Sequence, residues 1–224
     1  MSDFTGFPAT GLSFLTDLGT HDKAWFRDRK AVYESAVVEP AKEFVIAVGD
    51  RLHSDVSPAI QAVPRANGSI SPINNDVRFN KNADPFKDYL LFNFWEGPEK
   101  ATAASLHVRV SEAAVGFSVG MRFTDFDRWR AIIDDDATGA PLADAINVLA
   151  RRRELDVAGA ALKRVPKPYA EDHPRGDLLR HKSLHLRWPE PTPKSVNSAK
   201  FVDWCMKRLD ACAPIQRWLV DNLS

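Results

Sequence analysis

Apolar residues recur at helical spacing through the first quarter of the chain. Leu12, Leu15 and Leu18 follow Thr10, which predicts a helix with a threonine N-cap. A second helix is expected from Asp22, carrying Trp25, Phe26, Val32, Tyr33 and Val37. Pro40 suits the first turn of a third, whose buried stripe is Phe44, Val45, Val48 and Leu52. Residues 8–54 therefore read as a helical part.

The period then changes. Pro58, Pro64, Pro72, Asn67 and Gly68 punctuate a loop-rich entry, after which apolar and polar positions alternate. Leu106, Val108 and Val110 alternate with His107, Arg109 and Ser111, and Val115, Phe117 and Val119 with Gly116, Ser118 and Gly120. The short spacer between the two runs predicts a hairpin. Residues 89–95 predict a further strand, and residues 56–123 a sheet-rich centre. Beyond it helical spacing returns: Thr124 or Asp125 caps Phe126, Trp129, Ile132 and Ile133, and Pro141 opens another helix. Residues 165–169 must be extended, because Pro166 and Pro168 disfavour helix in the residue before each. A short helix follows His173-Pro174, a strand spans 183–188, and C-terminal helices follow, with Pro214 as a break or a new first turn. Strands grouped in the middle with helices at both ends predict an α+β fold, a central and mainly antiparallel sheet flanked by N-terminal and C-terminal helices. Residues 1–224 read as one domain.

Composition narrows the class. Of the 224 residues, 30 are lysine or arginine and 30 aspartate or glutamate, so the formal net charge is zero, which argues against nucleic acid or an anionic membrane as a partner held by global charge. No apolar run approaches the roughly 18 residues of a membrane span, and no signal-like N-terminus is seen. The expectation is a soluble cytoplasmic protein; the sequence sets no oligomeric state. Cys205 and Cys212 lie in one apolar helical pattern and read as reduced core thiols. His181 and His185 have zinc-like spacing but no second pair of ligands, so no metal is predicted. No Walker loop, dinucleotide fingerprint, nucleophile elbow or metalloprotease pair is present, and no cofactor is expected.

The candidate chemistry lies at residues 73–88. If 74–79 are extended, Asn74, Asp76 and Arg78 share one face, while Val77 and Phe79 anchor the other. Asp76 would orient Arg78, leaving guanidinium donors for a phosphate or carboxylate, with Lys81 and Lys87 adding charge. The competing reading is a structural ion pair that staples a long turn to the sheet. Trp25, Arg29 and Tyr33 at i, i+4 and i+8 would allow the guanidinium to stack between rings. His107 with Arg109, and His185 with Arg187, share strand faces, and together with the Asp76–Arg78 face they would form a surface suited to acid–base work on an anion. The runs Arg151-Arg152-Arg153 and Asp134-Asp135-Asp136 read as solvated helix ends.

Trp25-Phe26 with Lys30 and Tyr33, Asp76-Val77-Arg78-Phe79 with Pro85-Phe86-Lys87, Leu162-Lys163-Arg164-Val165-Pro166-Lys167, Asp172-His173-Pro174 and Leu178-Leu179-Arg180-His181-Lys182-Ser183 together carry a resemblance. By these residues the chain resembles the bacterial family called domain of unknown function 2461 over nearly its whole length. Against that family's central signature the chain departs at four places. Pro72 and Asn75 stand for arginines, Ala83 for a lysine and Phe86 for a tyrosine. The resemblance implies no reaction. It implies weight on the central cluster and adds Trp25, Lys30, His173 and Lys182 as candidates.

The leading expectation is a protein that binds a small anionic ligand, with Arg78 and Lys87 as donors, Asp76 orienting Arg78 and Trp25 walling the pocket. The alternatives are a hydrolase or transferase acting on a phosphorylated or carboxylated substrate, and a protein-interaction module whose charge cluster is purely structural.

Overall fold

Asp125 and Asp135 each place a carboxylate where the first turn of a helix has unsatisfied N–H groups, and each begins one. Asp125 accepts from the backbone N–H groups of Asp127 and Arg128 and starts the helix Phe126–Asp134; Asp135 accepts from Ala137 at 2.9 Å and starts Asp136–Ala150. Pro141 therefore lies inside the second of these helices and does not open it. The aspartate triplet had already supplied the cap upstream.

The computed structural model describes residues 4–75 and 84–224. In chain order the helices are α1 Ala9–Leu18, α2 Lys23–Asp28, α3 Lys30–Tyr33, α4 Glu39–Asp55, α5 Phe126–Asp134, α6 Asp136–Ala150, α7 Gly176–Leu179 and α8 Lys200–Leu223. A π-helical turn, Glu34–Val38, joins α3 to α4, and Pro40 falls in the first turn of α4 as expected. α1 begins one residue before Thr10, on the carbonyl of Pro8, with no side-chain cap. α8 runs unbroken through Pro214, which is neither the break nor the new first turn expected there. Buried residues on both sides of the proline, Leu209 and Cys212 before it and Ile215 and Leu219 after it, favour continuation over the lost N–H.

Among the described residues the strands are β1 Ile60–Gln61, β2 Leu90–Glu96, β3 Ala104–Val110, β4 Ala114–Arg122, β5 Asp156–Ala158 and β6 Ser183–Pro191. They form one antiparallel sheet in the order β1-β2-β3-β4-β6-β5, so the architecture is α+β. Alternation places Leu106, Val108 and Val110 of β3 in the core and leaves Arg109 exposed. At Gly120 of β4 an added Cβ would lie 1.9 Å from the carbonyl oxygen of Leu184, so close strand approach requires a glycine there.

The chain divides into two compact units. The first comprises Met1–Phe94, His107–Phe117 and Pro189–Arg208. Its core is a cluster of rings: Phe44 meets Phe92 at 4.8 Å and Phe7 at 5.4 Å, and Phe201 stacks on Trp204 at 5.7 Å. The second comprises Trp95–Leu106, Ser118–Trp188 and Leu209–Ser224. Trp129 is fully buried there, stacked 4.0 Å from Phe123 and edge-on to Trp218 at 6.1 Å. Both indole N–H groups are satisfied, Trp129 by the Leu178 carbonyl at 2.9 Å and Trp218 by the Thr138 carbonyl at 2.8 Å.

Candidate functional site

The second unit holds a hollow of about 600 Å³, built from α6, β5 with the segment that follows it, and α7 with the turns on either side of it. α6 presents Ala143, Ile146 and Asn147, which share a face at i, i+3 and i+4. β5 and β6 pair antiparallel, Val157 opposite Leu186 and Ala158 opposite His185, and the pairing resumes at Ala161 opposite His181 with one more residue on the β6 side. Gly159 sits at this irregularity with φ of +136°, and its missing Cβ would lie 2.1 Å from the Ser183 carbonyl oxygen. The slip brings Leu162 and Lys163 into the lining beside Arg180 and His181.

Arg175 gives one wall its position. Its Nε donates to the Ile133 carbonyl at 2.6 Å, and its Nη2 to the Asp134 carbonyl at 2.8 Å and to Asp136 Oδ1 at 2.7 Å. These carbonyls end α5, where helix geometry leaves acceptors unpaired and favours a cation. His173 completes the bracket. Its Nδ1 accepts the backbone N–H of Arg175 at 3.0 Å, so the proton of the neutral ring resides on Nε2, 3.2 Å from Asp134 Oδ1. The aspartates at 134–136 thus organise the α5–α6 corner: one holds His173, one caps α6 and one pairs with Arg175. They are not simply a solvated helix end, and neither is Arg153, whose guanidinium lies 4.7 Å over the Trp188 ring.

His181 is the unusual member. The residue is only 8% exposed, and its Nδ1 is sealed from solvent with no hydrogen-bond partner among the described residues. Burial lowers its pKa, the Ser183 carbonyl opposes that shift, nearby Arg180 adds to it and Asp177 works against it. Arg180 is engaged by Asp177, one turn earlier, through a charge-assisted hydrogen bond. Lys163 is exposed and has no ion-pair partner among the described residues. Among the described residues no group of three or more histidine, cysteine, aspartate or glutamate side chains is arranged to hold a metal ion.

The residues singled out by sequence are divided between the two units. Asp76 and Arg78 lie outside the described residues. In the first unit, Lys87 donates to the carbonyl of Pro72 and, at 3.3 Å, to that of Asn74, and burial lowers its pKa. Two of its three N–H groups are thereby committed to the turn itself. Asn75, where the family signature has an arginine, uses its amide to bind the carbonyls of Asp84 and Phe86 at 2.9 and 2.8 Å. Phe86 is buried 4.9 Å from Phe26. Trp25 packs on Phe14 at 5.2 Å and on His21 at 4.5 Å, with Arg29 lying 4.6 Å over its ring. Tyr33 meets Phe14 and Phe26, so only the Trp25–Arg29 half of the expected ladder forms. Lys30 is exposed. Arg109 lies 3.8 Å over the Tyr89 ring, with Asp88 at 3.6 Å. His107 shares its strand with Arg109, but the sheet order puts β4 between that strand and the one bearing His185 and Arg187.

In the second unit, His173 stands in the bracket behind the hollow. Lys182 is exposed, with its Nζ 6.0 Å from the Phe126 ring. Sequence reasoning passed over Lys163, Arg175, Arg180 and His181 as ligand groups. The signal was present in the resemblance, because Leu162-Lys163, His173-Pro174 and Leu178 through His181 come from three of its motifs and converge here.

Both cysteines are free and buried; burial holds the Cys205 thiol well above its ordinary value and pushes Cys212 up to about 12. No helix among the described residues is long and apolar enough to cross a membrane. No curated protein and no solved structure matches the chain. One family model, described as conserved hypothetical protein (DUF2461), matches residues 10–218, and the chain therefore belongs to the DUF2461 family.

Proposed function

We propose that the chain binds a small anionic molecule, bearing a carboxylate or phosphate, in the hollow between α6, β5 and the α7–β6 turn. One observation carries the reading: the exposed Lys163, which has no ion-pair partner among the described residues, lines a hollow of about 600 Å³ together with Arg175, Arg180 and the nine-tenths buried His181. A concave, partly apolar site with convergent polar groups supports a ligand site. Arg175 keeps Nη1 uncommitted among the described residues, and Lys163 is an unpaired cation at the rim.

The reading keeps the anionic ligand expected from the sequence and moves it from the segment at 76–87. Lys87, the member of that cluster within the described residues, is committed largely to backbone carbonyls. A thermal-shift panel of organic acids, sugar phosphates and nucleotides on the full chain tests the proposal. A compound that raises the melting temperature of the wild type, but raises that of Arg180→Ala or Lys163→Ala much less, supports it, because native-state binding stabilises by mass action. Loss of the shift in Arg78→Ala with retention in both pocket variants overturns the assignment to this hollow. A panel with no hit at millimolar concentration overturns it as well.

A further inference from the structure

We infer that the ligand of this hollow is a monocarboxylate with an apolar body, of the branched-chain or aromatic acid kind. This inference rests on the anion-binding reading above. Its first support is charge. Arg175 is paired with Asp136 at 2.7 Å and Arg180 with Asp177, so each guanidinium is matched by a carboxylate. Lys163 is then the cation in the lining without a counter-charge among the described residues. One uncompensated positive charge suits one negative charge. A phosphate monoester, at about −1.5 to −2 near neutral pH, would leave negative charge unmatched beside a neutral imidazole, and a di- or triphosphate would leave more.

The second support is the apolar wall. Val157 is 44% exposed, an uncovered β-branched side chain that lines the hollow. Ala143 and Ile146 of α6 add aliphatic surface, and Leu162 and Leu178 lie in the lining. Covering such surface is favourable by about 25 cal/mol per Å², so a ligand with an apolar body gains here what acetate or inorganic phosphate cannot. Size points the same way: a volume of about 600 Å³ far exceeds the roughly 30 Å³ that one water occupies in the liquid. A bare anion would leave most of the hollow to solvent.

Calorimetric titration of the full chain with phenylacetate, 4-methylpentanoate, acetate, glucose 6-phosphate, AMP and phenylacetamide tests this. The expected result is binding of phenylacetate and 4-methylpentanoate at least about tenfold tighter than acetate or either phosphate. Lys163→Ala should weaken both acids about tenfold, and Val157→Asn should weaken them while leaving acetate unchanged. Both positions are exposed, and circular dichroism of each variant checks that it folds. If AMP or glucose 6-phosphate binds in a Lys163-dependent way and the apolar acids do not, the ligand class is wrong and the anion site stands. If phenylacetamide binds as tightly as phenylacetate, the charge requirement fails, and this inference fails together with the anion reading. If none of the six binds, this inference is overturned, and the broader panel alone decides the anion reading.

Discussion

Trp129 donates its indole N–H to the carbonyl oxygen of Leu178 at 2.9 Å, so a fully buried ring on α5 fixes the short helix α7 that forms part of the hollow's wall. The ring also stacks on Phe123 at 4.0 Å, which leaves it little freedom to shift. Trp129→Phe keeps an aromatic in the core but removes the donor, leaving the Leu178 carbonyl with the His181 backbone N–H at 3.1 Å as its partner. The expected cost is about 1–3 kcal/mol, combining a smaller ring with one lost hydrogen bond. Urea denaturation followed by circular dichroism measures it, and a loss below about 0.5 kcal/mol would show that the contact does not anchor α7.

The pH dependence of stability follows from His181. Burial lowers its pKa below the ordinary 6.5 in the folded chain, with Arg180 acting in the same direction. Below pH 6.5 the unfolded chain therefore takes up a proton that the folded chain resists. The stability associated with this ring is complete above that value and is lost as pH falls through the lower folded pKa. His185 is shifted in the same direction by burial and by Arg187 and Arg122, and adds to the acid-side loss. Melting temperatures between pH 5 and 8 should thus fall toward acid, and the slope should be shallower in His181→Gln. Parallel curves for the two proteins would rule the ring out as a contributor.

The same two units show why some features were legible in the sequence and others were not. The hairpin of β3 and β4 could be read directly, because Leu106, Val108, Val110 and Val115, Phe117, Val119 bury one face and period two is a local signal. The Asp125 cap could be read for the same reason. Pro141 and Pro214 misled because a proline's local cost was weighed without the burial that outweighs it. β5 escaped notice because its three residues carry exposed Asp156 and Val157 and are held by pairing with β6, a non-local interaction. The hollow was illegible for a related reason. Lys163 and Arg180 are seventeen positions apart in sequence, and non-local bonds, Leu162 N–H to the Arg180 carbonyl at 2.8 Å and Lys182 N–H to the Ala160 carbonyl at 2.6 Å, place their segments side by side.

Arg208 joins α8 to β6 within the first unit. Its guanidinium lies 3.6 Å over the Trp204 ring, its Nε and Nη2 reach Glu190 Oε2 at 3.0 and 2.5 Å, and its Nη1 donates to the Trp204 carbonyl at 2.9 Å. The arginine side chain is 20% exposed and the glutamate 27%, so neither charge is fully hydrated. Arg208→Ala should cost about 1.5–3 kcal/mol, because a half-buried carboxylate loses its charge-assisted partner and the ring its cover. Arg208→Lys should recover less than half of that, since an ammonium cannot both fork onto a carboxylate and lie flat on an indole. Arg208→Ala combined with Glu190→Gln separates the two effects: if the carboxylate's loss of its guanidinium dominates, the double variant regains stability over Arg208→Ala. Equal stability of the wild type, Arg208→Ala and Arg208→Lys in urea would mean that water substitutes fully for the guanidinium and that α8 is held by its apolar face alone.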